Sequence, residues 1–273
     1  MEMLLLLPLL VGALLRAEGA AAGGGCDRSC GNMTLPYPFG FSSGCTIPLG
    51  CDATGAAWLG DARELGLLVR NVTPCALILA LIPDCARPFN ASVAVLFSGS
   101  YAPASGNALV VSSCSPAAEA ALTSNCSAPP ERFLDRRSSH CTANESVRCI
   151  FPPPPRSNNK GHHFLNRSEM IRFSSGCAGL VSSVSYSDAQ GPSLLLGKLE
   201  LDWWLPGGCR CAHRASCTQF IAPTSGQEVF RCECPEGLEG DGFVDGAGCK
   251  TGQCSFAFLF RWLIWSVKVC QLD

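Results

Sequence analysis

The chain has 273 residues, with 20 basic and 22 acidic side chains and a formal net charge of −2. This balance argues against nucleic acid as a partner, because phosphate binding requires a clear excess of basic residues. A hydrophobic fraction of 47% argues against general disorder, since enough apolar side chains are present to build a core.

The N-terminus predicts an export signal, which we place at residues 1–22. The 12 residues from Leu4 to Leu15 are almost all apolar, the length of a signal-peptide core. Small residues at Ala20–Ala22 offer a cleavage site, although Glu2 stands where a basic start is usual. A stretch this short cannot cross the ~30 Å hydrocarbon core of a membrane as a helix. We therefore expect a secreted, extracellular protein.

The block 26–126 contains eight cysteines, and its turns are rich in Gly and Pro. Its apolar runs are short and are bounded by turn residues, which is typical of buried strands. These runs are Leu77–Ile82, Val93–Phe97 and Leu109–Val111. We therefore predict small β-structure with little helix in this block.

The segment 127–170 is predicted to be a Pro-rich, basic connecting region. Pro152–Pro155 are four consecutive prolines. Such a run favours polyproline II and blocks both helix and central strand. The segment is therefore a spacer or an exposed loop.

The segment 171–208 is predicted to be rich in strands. Leu199, Leu201 and Trp203 alternate with charged residues. This period of two places the apolar side chains on one face and the charges on the other. It is the clearest strand pattern in the chain.

The segment 209–254 is predicted to be an EGF-like cysteine-rich module. Six cysteines lie within 41 residues, from Cys209 to Cys249, so the module relies on disulfides rather than on a large core. The single residue between Cys209 and Cys211 leaves the pairing open. Pro206–Gly208 stands where a calcium-binding module has acidic or amide residues, and the chain has no C-x2-C zinc pair. We therefore predict no metal and no cofactor.

The tail, 255–273, contains an apolar run from Ser255 to Val269. This run is only 15 residues long and has Arg261 near its middle. A membrane-spanning helix needs about 20 apolar residues, and a central charge is costly. We expect an interfacial or aggregation-prone tail.

The cysteine content predicts disulfides formed in an oxidising compartment. The expected fold class is mainly β, built from small disulfide-rich domains, with little helix outside the signal peptide and the tail. Of the 19 cysteines, 18 are predicted to pair, which leaves Cys270 over as a free thiol or as part of an unrelated tail. The predicted disulfide cysteines are Cys26, Cys30, Cys45, Cys51, Cys75, Cys85, Cys114, Cys126, Cys141, Cys149, Cys177, Cys209, Cys211, Cys217, Cys232, Cys234, Cys249 and Cys254.

Six N-x-[S/T] sequons follow the export signal and predict an N-glycosylated protein. Each sugar marks a solvent-facing position, so a partner surface should lie away from most of them. The predicted glycosylation sites are Asn32, Asn71, Asn90, Asn125, Asn144 and Asn166.

Three motifs follow one another in the N-terminal block: Cys26-x3-Cys30-Gly31, then Leu35-Pro-Tyr-Pro-Phe-Gly40, then Gly44-Cys45 with Cys51. Their order resembles the galacturonan-binding domain of plant wall-associated receptor kinases. The run Leu199–Trp204 and the cysteine pattern after it look like the C-terminal part of the same ectodomains. Together these motifs cover most of Cys26 to Cys254.

The resemblance implies binding of pectic polysaccharide, with full-length receptor kinases as further partners. It also implies a location in the cell wall, or at the outer face of the plasma membrane in a membrane-anchored isoform. In that family a transmembrane helix and a Ser/Thr kinase follow the ectodomain. This sequence has no kinase motif, so we predict neither an enzyme nor a catalytic residue. A truncated or spliced member and an incomplete gene model both fit this pattern.

Tyr37 and Phe39 lie in the central motif and have two interpretations. The rings are suited to stacking on a sugar, and they are equally suited to the core of a small domain. Both interpretations remain open from the sequence.

Pectin is a polyanion, whereas residues 26–126 carry four basic and six acidic side chains. The richest basic stretch lies further along the chain, and we predict that it contacts the polysaccharide, with a solvated loop as the alternative. Its basic residues are Arg148, Arg156, Lys160, Arg167 and Arg172.

Two functions are compatible with these features. The first is a binding module for extracellular pectic polysaccharide. The second is a non-catalytic interaction or decoy protein that pairs with full-length receptor kinases and binds no sugar itself.

Overall fold

The structure is a computed structural model that describes residues 25–60, 62–121, 140–141, 147–150, 164–165, 167–174, 176–187, 193–251, 254–255 and 269–270. Strands dominate it and helices are few, which confirms the predicted mainly β, disulfide-rich fold class. The predicted signal peptide, the proline run and residues 256–268 of the tail lie outside the described residues. Within the described part, no helix is long and apolar enough to cross a membrane.

The secondary-structure elements are short, and most strands have two to six residues. The helices are α1 (Phe89–Leu96), α2 (Pro116–Ala121) and α3 (Arg167–Ser174), with a 3-10 helix at Ala62–Leu65. The strands are β1 (Ser29–Cys30), β2 (Met33–Thr34), β3 (Phe39–Gly40), β4 (Ile47–Pro48), β5 (Gly50–Cys51), β6 (Ala57–Trp58), β7 (Leu68–Val72), β8 (Ala76–Ala80), β9 (Tyr101–Pro103), β10 (Asn107–Cys114), β11 (Val147–Ile150), β12 (Cys177–Ser187), β13 (Ser193–Leu196), β14 (Lys198–Trp203), β15 (Leu205–Pro206), β16 (Ser216–Ile221), β17 (Glu228–Glu233), β18 (Leu238–Glu239), β19 (Lys250–Thr251), β20 (Cys254–Ser255) and β21 (Val269–Cys270).

Two antiparallel sheets form the body of the protein. The larger sheet has the order β5-β6-β7-β8-β14-β9, and the second has the order β11-β10-β12-β13. The segments 26–126 and 171–208 each supply strands to both sheets. Residues that are far apart in sequence therefore share the same layers.

Strand β14 lies between β8 and β9, with Leu201 opposite both Leu77 and Pro103. Leu199, Leu201 and Trp203 are buried, while the alternating charged residues are half-buried. The strand predicted from the alternating pattern is therefore present, and its apolar face covers the core.

The run Val93–Phe97, predicted as a strand, is instead largely the second half of α1. Phe89, Ser92, Val93 and Leu96 are the buried residues of α1. Residues spaced by three and four positions lie on one face of a helix. Phe89 and Ser92 of this face lie before the apolar run begins at Val93. The β-branched valines favoured a strand locally, but burial of this face against the sheets determines the helix.

The main core is continuous from Leu35 in the N-terminal motif to Phe243 in the cysteine-rich module. Trp203 is at its centre and is 2% exposed. The rings of Phe39 and Phe243 lie 5.1 Å and 5.8 Å from it, and its Nε1 donates a hydrogen bond of 3.1 Å to the carbonyl of Thr73. Trp203 thus joins three parts of the chain.

A buried cation connects the 3-10 helix to strand β12 of the second sheet and to the segment that follows β8. Arg87 is 4% exposed, and its guanidinium donates hydrogen bonds to the carbonyls of Leu65, Ile82, Leu180 and Val181. Burial lowers the pKa of Arg87. Because four carbonyl dipoles replace water, the charge remains solvated inside the protein.

The N-terminal motif and the cysteine-rich module each have their own described disulfides. Cys114–Cys177 joins β10 to β12 in the second sheet, and Cys85–Cys141 closes a span of 56 residues. The pairs are Cys26–Cys45, Cys30–Cys51, Cys85–Cys141, Cys114–Cys177, Cys209–Cys217, Cys211–Cys232 and Cys234–Cys249, and Cys149 is also disulfide-bonded.

The prediction that Cys75 forms a disulfide is wrong, because its thiol is free and exposed. Its Sγ lies 3.5 Å from Oε1 of Glu233. Partial burial, followed by the charge of Glu233, raises its pKa. Cys270, predicted to be left over, lies opposite Cys254 in the pairing of β20 with β21. Cys126 lies outside the described residues.

Replacement of Trp203 by Ala is expected to cost about 3–5 kcal/mol, the usual loss for a buried Trp. The free energy of unfolding should be measured by urea denaturation. Ile221→Ala is the control, because Ile221 is 59% exposed and such a change typically costs less than about 0.5 kcal/mol. A loss below about 1 kcal/mol in Trp203→Ala would show that Trp203 is not a central core contact.

Candidate functional site

The two aromatic residues of the N-terminal motif have different environments. Phe39 is fully buried, and its ring packs edge-on against Trp203. Its assignment as a polysaccharide-binding residue is therefore wrong, because a sugar cannot reach it. Tyr37 is half-buried, with Cζ of Arg28 5.6 Å from its ring centroid and Phe243 at 5.3 Å.

Tyr37 lines a cleft of about 420 Å³ between the N-terminal motif and the cysteine-rich module. We call it the Tyr37 cleft. Apolar and aromatic side chains form much of its wall, and one ion pair joins Arg210 to Asp245 at 3.3 Å. The lining residues are Tyr37, Thr46, Leu205, Pro206, Arg210, Phe230, Phe243 and Asp245.

The predicted basic residues do not lie in this cleft. Arg148 is half-buried on β11, while Arg167 and Arg172 are exposed on α3. Strand β11 belongs to the four-stranded sheet, and α3 contacts α1 and β12. Arg156 and Lys160 lie outside the described residues.

A second cleft, of about 600 Å³, lies between the N-terminal motif and strand β7. Two predicted glycosylation sites line it, so we call it the Asn32–Asn71 cleft. Its walls are 31–36, 54–55 and 70–72. Both asparagines are exposed.

The first wall depends on a tight hairpin. Strands β1 and β2 pair with Cys30 opposite Met33, which leaves Gly31 and Asn32 as the two loop residues. Gly31 has a φ of +57°, whereas Asn32 is not among the residues with positive φ. Glycine at the first loop position is typical of a type II′ turn, and it places Asn32 at the tip.

The second wall is fixed by a carboxylate. Oδ1 of Asp52 accepts hydrogen bonds from the backbone and hydroxyl of Thr54 and from the backbone of Ala56, and Oδ2 accepts one from Nε1 of Trp58. These bonds, led by the one from the Thr54 hydroxyl, hold the pKa of Asp52 well below its usual range. The loop that contains Gly55 is thereby kept against Gly31.

The third wall contains a β-bulge. In the pairing of β7 with β8, Val69 lies opposite Leu79 and Asn71 opposite Ile78, so Arg70 is the extra residue. A bulge redirects the side chains around it. Arg70 and Asn71 are consecutive exposed residues, and both line the cleft.

A third cleft, of about 580 Å³, also contains a predicted glycosylation site, because Asn90 of α1 lines it. Asn125, Asn144 and Asn166 lie outside the described residues. Among the residues that are described, no group of three or more His, Cys, Asp or Glu side chains could hold a metal ion.

Gly31→Ala is expected to destabilise the protein more than Gly60→Ala. Both glycines have nearly the same φ, +57° and +58°. A Cβ at Gly31 would lie 2.8 Å from the carbonyl oxygen of Gly55, whereas one at Gly60 meets nothing within 4 Å. Gly60→Ala, the control, should lose about 1 kcal/mol of unfolding free energy, because alanine disfavours a left-handed backbone. Urea denaturation of both variants measures the difference, and equal losses would contradict the close contact.

Asp52 is expected to make the protein acid-sensitive. Its folded pKa lies below the unfolded value of about 3.9, so its stabilisation is complete above that pH and is lost as the pH falls further. Thermal unfolding between pH 6 and pH 2 should show the native chain and Asp52→Asn converging below about pH 4. Glu236→Gln, at an exposed position, is the control. A constant difference between native and Asp52→Asn across this range would contradict the assignment.

Two curated proteins of Arabidopsis thaliana are similar to this chain. Wall-associated receptor kinase-like 14 is 32% identical over 228 residues, which are 81% of this chain and 30% of the relative. Wall-associated receptor kinase-like 21 is 29% identical over 225 residues, which are 81% of this chain and 33% of the relative. The chain thus spans about a third of the length of these relatives.

No family model and no solved structure matches the chain. Each of the two relatives nevertheless matches four-fifths of this chain. The strand-rich, disulfide-bonded fold fits a small-domain extracellular architecture. The chain therefore carries an ectodomain of the wall-associated receptor kinase-like type.

Proposed function

We propose that this ectodomain works outside the cell as a non-catalytic binding module for acidic pectic polysaccharide, and that the Tyr37 cleft is the binding site. The observation that carries the proposal is the composition of this cleft. It combines a half-buried Tyr with an exposed Arg, and no sequon asparagine lines it.

A uronic acid presents an apolar ring face, hydroxyl groups and a carboxylate. Tyr37 and Phe243 supply aromatic surface, and Thr46 supplies a hydroxyl. Arg210 supplies the cation, and its side chain is 70% exposed. A guanidinium can bind a carboxylate with two parallel hydrogen bonds, which makes Arg210 the best-suited group for the charge of the ligand.

Arg210 already has a partner, since it pairs with Asp245. Asp245 is 47% exposed in its side chain. A ligand carboxylate therefore competes with Asp245 for the same cation. Two substitutions at this pair should have opposite effects on affinity.

Arg210→Gln is expected to weaken binding of a defined oligogalacturonide about twofold to fivefold, the range of an exposed ion pair. Asp245→Asn should strengthen binding, because it frees the guanidinium. Both effects should shrink as salt is added. Isothermal titration at two salt concentrations measures them.

Arg70→Gln is the matched control, since it removes the same charge from the other cleft. Unchanged affinity in Arg210→Gln would reject the Tyr37 cleft. An equal loss in Arg70→Gln would do the same, because it would indicate only non-specific attraction. The stretch with Arg148, Arg167 and Arg172 remains a separate prediction, tested by changing its five basic residues to Ser.

A second candidate function is protein interaction, as in a partner or decoy of full-length receptor kinases. Strand β16 favours it, because the order β15-β17-β16 places this strand at an edge. Five of its six residues are exposed, including Ile221. An open edge can accept a further strand. Co-purification of a receptor with no pectic ligand on a glycan array would favour this function.

A further inference from the structure

We propose that the Asn32–Asn71 cleft is filled by the protein's own N-linked glycans, carried on Asn32 and Asn71. The cleft is then an internal sugar-docking surface and not an open ligand site. The inference does not depend on the proposed function, because it concerns a different cleft and a different sugar.

The two asparagines reach the cleft from separate elements. Asn32 lies at the tip of the β1–β2 hairpin, and Asn71 follows the bulge in β7. Each is followed by a threonine two residues later, so each is a complete sequon. Both are exposed and both line the same cleft. Sugars attached at these positions therefore start from two different walls of one cavity.

The asparagine side chains are compatible with attachment. Oδ1 of Asn71 accepts a 2.9 Å hydrogen bond from its neighbour Val72, and among the described contacts none engages Nδ2. In attachment, Nδ2 loses a proton and forms a bond to C1 of N-acetylglucosamine. The bond from C1 to a lipid-linked diphosphate breaks, and the diphosphate leaves with its electron pair.

The lining of the cleft suits a neutral, amphipathic sugar. Met33, Pro36 and Val72 offer apolar surface for a sugar ring or an acetyl group. Thr34 and Thr54 offer exposed hydroxyls at the rim. The volume of about 600 Å³ falls in the usual range of ~300–1,000 Å³ for small-molecule sites.

The chemical reactivity of Arg70 can show whether glycans fill the cleft, because Arg70 is an exposed residue that lines it. Glycans that fill the cleft must cover it. Arg63 is the internal reference, since its side chain is 65% exposed and it does not line the cleft. Glycans in the cleft should therefore slow the reaction of Arg70 and leave that of Arg63 unchanged.

The experiment uses the full chain secreted from a plant host. Mass spectrometry first tests whether both asparagines carry glycans. An arginine-specific dicarbonyl reagent is then applied to the native protein and to Asn32→Gln/Asn71→Gln. We expect modification of Arg70 to be several-fold slower in the native protein, with Arg63 equally reactive in both.

A second measurement does not require the double variant to fold. The native glycoprotein is folded first and its glycans are then trimmed by an endoglycosidase to single N-acetylglucosamine residues, which should raise the reactivity of Arg70. Unoccupied asparagines, or equal reactivity of Arg70 before and after trimming, would overturn the proposal. No oligogalacturonide enters this assay, so its result is separate from that of the Arg210 experiment.

Discussion

Trp203 is the side chain through which the separate parts of this protein are held in one arrangement. It ends β14, packs against Phe39 of the N-terminal motif and Phe243 of the cysteine-rich module, and bonds to Thr73. The buried guanidinium of Arg231 also donates to its carbonyl at 3.0 Å and lies 5.8 Å from its ring. Polar and aromatic contacts thus converge on one residue.

This convergence matters because the described disulfides of the N-terminal motif and of the cysteine-rich module act only within those two regions. Cys26–Cys45 and Cys30–Cys51 close the N-terminal motif, and three pairs between Cys209 and Cys249 close the module. None of the described pairs joins these two regions. Disulfides stabilise each part by restricting its unfolded chain, whereas the aromatic core determines how the parts are oriented. The Tyr37 cleft exists only because of that orientation.

Local patterns in the sequence predicted local structure well. The alternation in Leu199–Trp203 predicted β14 and its buried face, and the apolar run at Leu77 predicted β8. The prediction of a strand at Val93 failed because the buried face of the helix begins earlier. It includes Phe89 and the polar Ser92, which both lie before the apolar run. Arg87 is buried among carbonyls of the 3-10 helix, of β12 and of the segment after β8, and no local pattern in the sequence predicted this.

The site was harder to predict than the fold, for a related reason. Tyr37 and Phe39 are two residues apart in one motif, and nothing in the motif distinguishes Phe39, which packs against Trp203 in the core, from the half-buried Tyr37. Cys75 looked like any other cysteine, but its nearest described contact is Glu233 from the distant module. Arg70 and Asn71 reach their cleft through a bulge that depends on the register between β7 and β8.

The local closure of the disulfides has a mechanical consequence. The rings of Tyr37, Phe39, Trp203 and Phe243 hold the N-terminal motif against the cysteine-rich module, and no described disulfide bridges these two regions. Separation of these rings would therefore leave the described disulfides of both regions intact. The seam that forms the Tyr37 cleft can thus open without the breaking of any described covalent cross-link.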